Sequence, residues 1–141
     1  MVEALAVSPQ LAESKASVGS TQVLRDKPAI QAEIGRAESI LRSARAFLFE
    51  AIQALWEAGA DATLRDRALV RLALANVGTS AAQVADMMYR AGGSASLYEG
   101  CRLARCWRDA HAAMQHLGLS AANYETAGRV MLGMDPGTTR F

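Results

Sequence analysis

The residues whose types suit proton transfer or metal binding are concentrated in residues 101–116, CRLARCWRDAHAAMQH. His111 and His116 are the only histidines of the chain, and a spacing of five places them on different faces of a helix. Metal sites in helical bundles use Glu-x-x-His pairs or histidines four residues apart, and neither pattern occurs here. The sequence therefore predicts no metal site. It leaves His116 as either a functional imidazole or a packed residue near a helix end.

The other reactive residues of this segment have ordinary explanations. Arg105 and Asp109 lie four apart and predict an exposed helical ion pair, beside the Arg-Asp dipeptide formed by Arg108 and Asp109. Cys101 and Cys106 lie five apart, about 140° around a helix, so they cannot readily bridge each other. Reduced thiols of this kind are typical of cytoplasmic proteins. No glycine-rich phosphate loop follows a strand, and no Ser or Cys nucleophile has an adjacent base.

Composition limits the classes of partner. Fifteen basic and fourteen acidic residues give a formal net charge of +1, so no overall field would attract nucleic acid or an anionic membrane. The N-terminus MVEALAVSPQ lacks the basic and apolar regions of a signal peptide, and no apolar run approaches the ~20 residues of a membrane span. The sequence predicts a soluble, cytoplasmic, single-domain protein of 141 residues.

Helical periodicity and the absence of alternating strand patterns predict an all-α fold, an antiparallel helical bundle with short connections. The predicted elements are a short helical segment over residues 9–14, a long helix from an Asp26 cap and Pro28 to about Ala58, a third from a Thr63 cap to Gly92 and Gly93, a fourth over about 97–117, and a fifth from a Ser120 cap to Gly133.

Apolar residues recur four and three residues apart along the two longest predicted helices. The stripe of the first comprises Ile30, Ile34, Ala37, Leu41, Ala44, Leu48, Ala51 and Leu55, and that of the second comprises Val70, Ala73, Val77, Ser80, Val84, Met87 and Ala91. Gly78 interrupts the second stripe and predicts a close helix contact. Ile40 and Phe47 widen the first stripe, and with Trp56 they predict an exposed apolar patch through which the long helices form a homodimer or tetramer.

The stretch MYRAGGSASLYEGCRLARCWRDAHAAMQHLG resembles the C-terminal helical domain of the acyl-CoA dehydrogenase superfamily. The resemblance is to the flavin-dependent monooxygenase branch, which includes two-component aromatic hydroxylases and the dibenzothiophene monooxygenase. Its features are an Ala-Gly-Gly turn and then a helix that contains Arg-Asp and ends in a His. LRDKPAIQAEIGRAESILRSARAFL and LGMDP also resemble the long first helix and the ending of that branch. The resemblance implies a bundle over residues 1–134 and a tail over 135–141.

The resemblance also implies site residues. In many dehydrogenases of the superfamily a proton-abstracting Glu lies nine residues after the Arg, and that position here is Leu117. The monooxygenase branch has a His eight residues after the Arg, which is His116. His116 is therefore the expected catalytic residue, and Gly92, Gly93 and Arg108 are the expected contacts to a flavin, FAD or FMN.

In the mechanism of that family, a flavin C4a-hydroperoxide transfers oxygen to an aromatic or heteroatom substrate. The resemblance implies that His116 donates a hydrogen bond or acts as a general base there. Burial between Ala112, Ala113 and Leu117 is expected to keep its imidazole neutral.

Members of that branch also carry an N-terminal helical domain and a middle β-domain, which form most of the flavin pocket. We therefore expect this chain to be a fragment, a split subunit or a truncated product that does not hold flavin alone. Its expected partners are a separate N-terminal flavin-binding subunit and a flavin reductase. Two alternatives remain open: an acyl-CoA dehydrogenase domain whose base lies elsewhere, and a non-catalytic helical oligomerisation module.

Overall fold

The computed structural model describes residues 23–98 and 100–139, and within them it contains no β-strand. The α-helices are α1 (Pro28–Ala58), α2 (Leu64–Gly92), α3 (Arg102–Ala113) and α4 (Ala122–Met131). Short 3-10 turns lie at Leu24–Asp26, Gly59–Asp61, Gly93–Leu97 and Leu117–Leu119. The prediction of an all-α fold is confirmed. The helical segment predicted over residues 9–14 lies outside the described residues.

Helix α1 has the predicted range and the predicted buried face. All eight stripe residues are buried or half-buried, and Ala37, Ala44 and Ala51 are the most enclosed of them. The predicted Asp26 cap is wrong, because Asp26 lies in the preceding 3-10 turn and Lys27 directly precedes the helix. The Lys27 carbonyl instead accepts hydrogen bonds from the first amides of α1.

Helix α2 begins at the predicted cap. The hydroxyl of Thr63 donates to the Asp66 carboxylate at 2.6 Å, and the backbone N–H of Thr63 donates to the same oxygen at 2.8 Å. In return the backbone N–H of Asp66 donates to the Thr63 hydroxyl at 3.3 Å. This reciprocal pair closes the helix start. The hydrogen bond from the Thr63 hydroxyl, followed by that from its backbone N–H, lowers the pKa of Asp66 below its ordinary value of 3.8.

The end of α2 also matches the prediction. The helix ends at Gly92, and Gly93 follows with a φ of +55°, a left-handed conformation that glycine adopts without strain. The hydroxyl of the fully buried Ser96 donates to the Tyr89 carbonyl at 2.9 Å, which satisfies one carbonyl of the last helical turn.

Helix α3 is shorter at both ends than the predicted 97–117. At its start, the preceding residues are not helical in the same way. Gly93–Leu97 form a 3-10 turn, and Cys101 N–H donates to the Tyr98 carbonyl. At its end the backbone becomes extended at His116, with a ψ of 132°. Small residues there fit a helical pattern, but side chains bound to nearby backbone groups end the helix instead.

The chain divides into two compact units, each built from two separate stretches. The first unit combines the described part of Met1–Arg42 with Ala81–Ala112, and the second combines Ser43–Ser80 with Ala113–Phe141 as far as it is described. The first unit has a core cluster of Ala37, Val84, Met88 and Leu103, with Ile34, Ile40, Met87, Cys101 and Cys106 packed against it. Neither cysteine forms a disulfide.

The buried side chains of the second unit are mainly alanines, and Gly78 makes the predicted close contact. A Cβ built on Gly78 would lie 2.9 Å from both the Leu119 carbonyl oxygen and the Met114 sulfur. Glycine is therefore required for the chain after α3 to approach α2 this closely.

The apolar patch predicted along α1 is partly wrong. Ile40 packs against the core of the first unit, and Phe47 is half-buried, so neither forms an open patch. Exposed apolar side chains lie instead in the second half of α1, with Phe49, Ile52 and Trp56 having 55%, 45% and 85% of their surface exposed. No helix among the described residues combines the length and apolar character needed to cross a bilayer.

Candidate functional site

The predicted catalytic residue, His116, lies in the second unit on the turn that follows α3. Its backbone N–H donates to the Ala113 carbonyl at 3.0 Å, and its own carbonyl accepts from Leu119 N–H at 2.9 Å. The side chain folds back onto its own backbone, where Nδ1 accepts a hydrogen bond from Gly118 N–H at 3.1 Å. An acceptor nitrogen carries no proton, so in the neutral imidazole the proton is on Nε2.

The expected burial of His116 is wrong. The imidazole is exposed, as are Ala112 and Ala113, and Leu117 leaves 58% of its surface open. The physical reason is the early end of α3, because an extended residue 116 directs its side chain along the turn rather than against the helix. His116 is thus an exposed imidazole whose Nε2 carries the proton as a hydrogen-bond donor.

Asn123, which is 4% exposed, holds the turn on which His116 lies. Its side-chain amide nitrogen donates to the Leu117 carbonyl at 3.0 Å and to the Gly118 carbonyl at 3.2 Å. Its side-chain oxygen accepts a hydrogen bond from the Arg71 guanidinium at 3.1 Å. Both donors and the acceptor of this buried amide are therefore satisfied.

The predicted flavin contacts Gly92, Gly93 and Arg108 lie in the first unit, whereas His116 lies in the second. Gly92 is buried, and a Cβ there would overlap the Ser96 hydroxyl and approach Leu103, so packing within the chain accounts for this glycine. Gly93 is exposed, with no atom near its Cβ position. Arg108 is exposed on α3.

The predicted ion pair of the same helix is present. Arg105 Nε lies 3.5 Å from an Asp109 carboxylate oxygen, and both side chains are largely exposed. An exposed pair of this kind contributes little to stability. No described group of three or more His, Cys, Asp or Glu residues is arranged to hold a metal ion.

Sequence reasoning missed a polar cluster in the first unit, formed around the Asp86 carboxylate. The Trp107 indole N–H donates to Asp86 Oδ1 at 2.6 Å, and His111 Nε2 lies 3.2 Å from the same oxygen. The Trp107 ring packs edge-on to His111, with centroids 4.5 Å apart, and lies 5.6 Å from the Tyr89 ring. The spacing of four between Trp107 and His111 was the one available signal, because Asp86 lies on a different helix.

Chemically, the two histidines are bound in different ways. His111 Nε2 is held by a carboxylate, which orients the ring and leaves Nδ1 as its other nitrogen. His116 Nδ1 is held by a backbone N–H, which leaves Nε2 as the donor of an exposed imidazole. Of the two, His116 is better placed to donate a hydrogen bond to a group outside this chain.

Comparisons with known proteins place these features in a family. Residues 3–121 match the model of the acyl-CoA dehydrogenase C-terminal domain. The chain is 34% identical over 129 residues to an indole-3-acetate monooxygenase of Pseudomonas putida, covering 89% of this chain and 33% of that protein. It is 30% identical over 117 residues to a pigment production hydroxylase of Rhodococcus erythropolis, covering 80% of this chain and 30% of that protein. The chain thus spans about a third of the length of the curated relatives it matches.

A solved structure agrees with the fold. XiaF from a Streptomyces species, determined in complex with FADH2 and glycerol, matches 98% of this chain and 36% of its own with a TM-score of 0.89 and 24% identity. At that identity the likeness supports the fold alone. Because the family model covers most of the chain, the protein belongs to the acyl-CoA dehydrogenase C-terminal domain family.

Proposed function

We propose that this chain is the C-terminal helical part of a flavin-dependent monooxygenase that acts on an aromatic substrate. The observation that carries the proposal is the similarity of 89% of the chain to an indole-3-acetate monooxygenase at 34% identity. The position nine residues after Arg108 is Leu117, which cannot abstract a proton, so the residues present support a monooxygenase better than an acyl-CoA dehydrogenase.

His116 is the proposed catalytic residue, and its hydrogen bonding favours one of the two roles open to it. Because Nδ1 accepts from Gly118 N–H, Nε2 of this exposed imidazole carries the proton and can donate to an oxygen atom of the reacting groups. A donor positioned at developing negative charge accelerates a reaction without itself losing a proton. We therefore assign His116 the part of a hydrogen-bond donor rather than a general base.

The proposed cofactor is a flavin. When reduced and bound, it would provide the group that reacts with dioxygen. The exposed Arg108 guanidinium fits a phosphate group, and the open, left-handed Gly93 allows a ligand to approach the backbone. Gly92 fits less well, because Ser96 and Leu103 occupy the space beside it. FAD is the proposed form, by analogy with the FADH2 held by XiaF, and FMN is the other outcome of identifying the released cofactor.

The proposed assembly is a homodimer or tetramer, working with a flavin-binding N-terminal part and a flavin reductase. Phe49, Ile52 and Trp56 form an exposed apolar surface on the second half of α1. A surface of this kind marks an interface in many proteins. Light scattering of the complete protein at tens of micromolar should give a mass above that of a monomer.

The experiment for the activity uses the complete protein that contains this chain, supplied with a flavin reductase and with indole-3-acetate as the probe substrate. Changing His116→Ala should lower the rate of product formation by about 10²–10³-fold, the range for loss of one positioned hydrogen-bond donor. Gln115→Ala, at the exposed neighbouring position, is the control and should leave the rate unchanged.

Normal turnover by His116→Ala would remove the role assigned to that residue. Bleaching of the flavin by acyl-CoA thioesters, without hydroxylation of aromatic acids, would instead support the dehydrogenase alternative. Absence of any flavin turnover in the complete protein would favour a non-catalytic helical module.

A further inference from the structure

We propose that Asn123 is a positioning residue for His116 and that it acts through a single peptide group. The proposal rests on the catalytic role proposed for His116. Asn123 lies at the start of α4, seven residues from His116. Its side-chain hydrogen bonds go to the Leu117 and Gly118 carbonyls and to Arg71 rather than to the imidazole. Its effect reaches the ring through the peptide bond between Leu117 and Gly118.

The two ends of that peptide group are bound on opposite sides. Its oxygen, the Leu117 carbonyl, accepts a hydrogen bond from Asn123 Nδ2 at 3.0 Å. Its N–H, that of Gly118, donates to His116 Nδ1 at 3.1 Å. A peptide group is planar and resists twisting, so fixing its oxygen also fixes the direction in which its N–H points. Asn123 thereby fixes the position of the Gly118 N–H that donates to His116 Nδ1.

Asn123 is itself fixed more firmly than a surface amide. It is 4% exposed, and its second amide hydrogen is used by the Gly118 carbonyl at 3.2 Å. Its oxygen accepts from the Arg71 guanidinium on α2 at 3.1 Å. A charged donor polarises the amide and strengthens the hydrogen bonds that the same amide donates.

The consequence is chemical as well as geometric. A donor held at Nδ1 selects the imidazole tautomer with the proton on Nε2. Without a fixed donor the ring can exchange its proton between the two nitrogens and rotate. The hydrogen bonds that run from Arg71 through Asn123 and the Leu117–Gly118 peptide to His116 therefore fix two properties of the imidazole. They fix which nitrogen carries the proton and the orientation of the ring.

The test reads the tautomer directly. The 141-residue chain is labelled with ¹⁵N-histidine and studied by NMR at alkaline pH, where imidazoles are neutral. His111→Gln removes the second histidine signal and so assigns His116. In the wild-type chain His116 should show an unprotonated Nδ1 and a protonated Nε2.

Asn123→Asp is the informative variant, because it keeps the size of the side chain while removing both donors. The two nitrogen signals of His116 should move toward each other as the tautomers mix. Ala127→Gly, a fully buried position on the same helix, is the control for lost stability and should leave the signals unchanged. If Asn123→Asp does not fold, Arg71→Gln leaves Asn123 in place and should produce a smaller shift in the same direction.

In the complete protein, Asn123→Asp should lower kcat by about 10-fold or more, as expected for a misplaced catalytic group. Combined with His116→Ala it should cause no further loss, because the two residues act as a unit. Unchanged nitrogen signals in Asn123→Asp would overturn the positioning role, as would an additive loss of kcat in the double variant. Full activity of His116→Ala would overturn the proposed function instead, whatever the tautomer of His116.

Discussion

At the scale of single residues, the two tryptophans, Trp107 and Trp56, have different surroundings. Trp107 donates its indole N–H to the Asp86 carboxylate and packs between Tyr89 and His111. Trp56 leaves 85% of its surface exposed. The same chemical change at these two positions therefore separates the contribution of a structured polar contact from that of a surface side chain.

Trp107→Phe should destabilise the chain by about 1–2 kcal/mol, because it keeps an aromatic ring but removes a donor to a charged acceptor. Trp56→Phe should change the free energy of unfolding by less than about 0.5 kcal/mol. Chemical denaturation followed by circular dichroism measures both. Equal effects of the two substitutions would show that the Asp86 contact contributes nothing to stability.

The lowered pKa of Asp66 predicts how the stability of the chain depends on pH. Its pKa in the folded chain lies below 3.8, mainly because the Thr63 hydroxyl donates to the carboxylate. The stability that it contributes is therefore complete above that value and is lost as the pH falls through the lower, folded pKa. The advantage of the wild-type chain over Asp66→Asn should shrink as the pH is lowered below 3.8.

Thermal unfolding midpoints measured from neutral to acid pH test this prediction. Thr63→Ala should remove most of the same pH dependence, and adding it to Asp66→Asn should have little further effect on the pH profile. A constant difference between Asp66→Asn and the wild-type chain at every pH would contradict it.

Residue types predicted part of the candidate site. His116 was identified because its spacing from Arg108 matched a family pattern, and that role is still a prediction. Asn123 was not identified, because its partners at Leu117 and Gly118 are backbone carbonyls, which leave no mark in a sequence. Arg71 lies 52 residues from Asn123 along the chain, so only the fold brings them together.

At the scale of helices, Gly78 and Gly128 provide opposite cases of the same residue type. Gly78 in α2 is crowded by the Leu119 carbonyl, whereas a Cβ on Gly128 in α4 would meet nothing within 4 Å outside its own helix backbone. Both glycines reduce helix propensity by up to about 1 kcal/mol relative to Ala. Of these two positions, only that of Gly78 is packed too closely to accept a side chain.

Gly78→Ala should therefore destabilise the chain by about 1–3 kcal/mol, because a backbone oxygen cannot easily move away from the added methyl group. Gly128→Ala should stabilise it by up to about 1 kcal/mol. The midpoints of urea unfolding provide the comparison. Stabilisation by both substitutions would mean that the approach of Leu119 to α2 is looser than the structure indicates.

The ranges of the helices were predicted most accurately where the apolar repeat extends over many positions. Helix α1 repeats its stripe over eight positions, so its range and buried face followed from the sequence. Helix α3 is short, and local hydrogen bonds lie at its limits, from Cys101 N–H to the Tyr98 carbonyl before its start and from Gly118 N–H to His116 Nδ1 after its end. Such bonds compete with helix formation in a way that apolar spacing does not reveal.

At the scale of the whole molecule, Trp56 can report the proposed assembly. If the exposed side chains of α1 meet a second copy of the chain, Trp56 becomes shielded as the concentration rises. In a Trp107→Phe background its fluorescence should be quenched by iodide at low concentration and protected at tens of micromolar. Equal quenching at both concentrations would place any interface elsewhere.

The two discontinuous units have a consequence for how the chain is made. A nascent chain extended to Ala112 contains both stretches of the first unit but only Ser43–Ser80 of the second. The stretch from Ala113 onward, which holds His116 and Asn123, must emerge from the ribosome before the second unit can be completed. Protein segments fold as they are synthesised. Until the stretch from Ala113 onward has been made, the alanine-rich faces of Ser43–Ser80 are therefore uncovered. Chains truncated after Ala112 should accordingly engage chaperones more than the 141-residue chain.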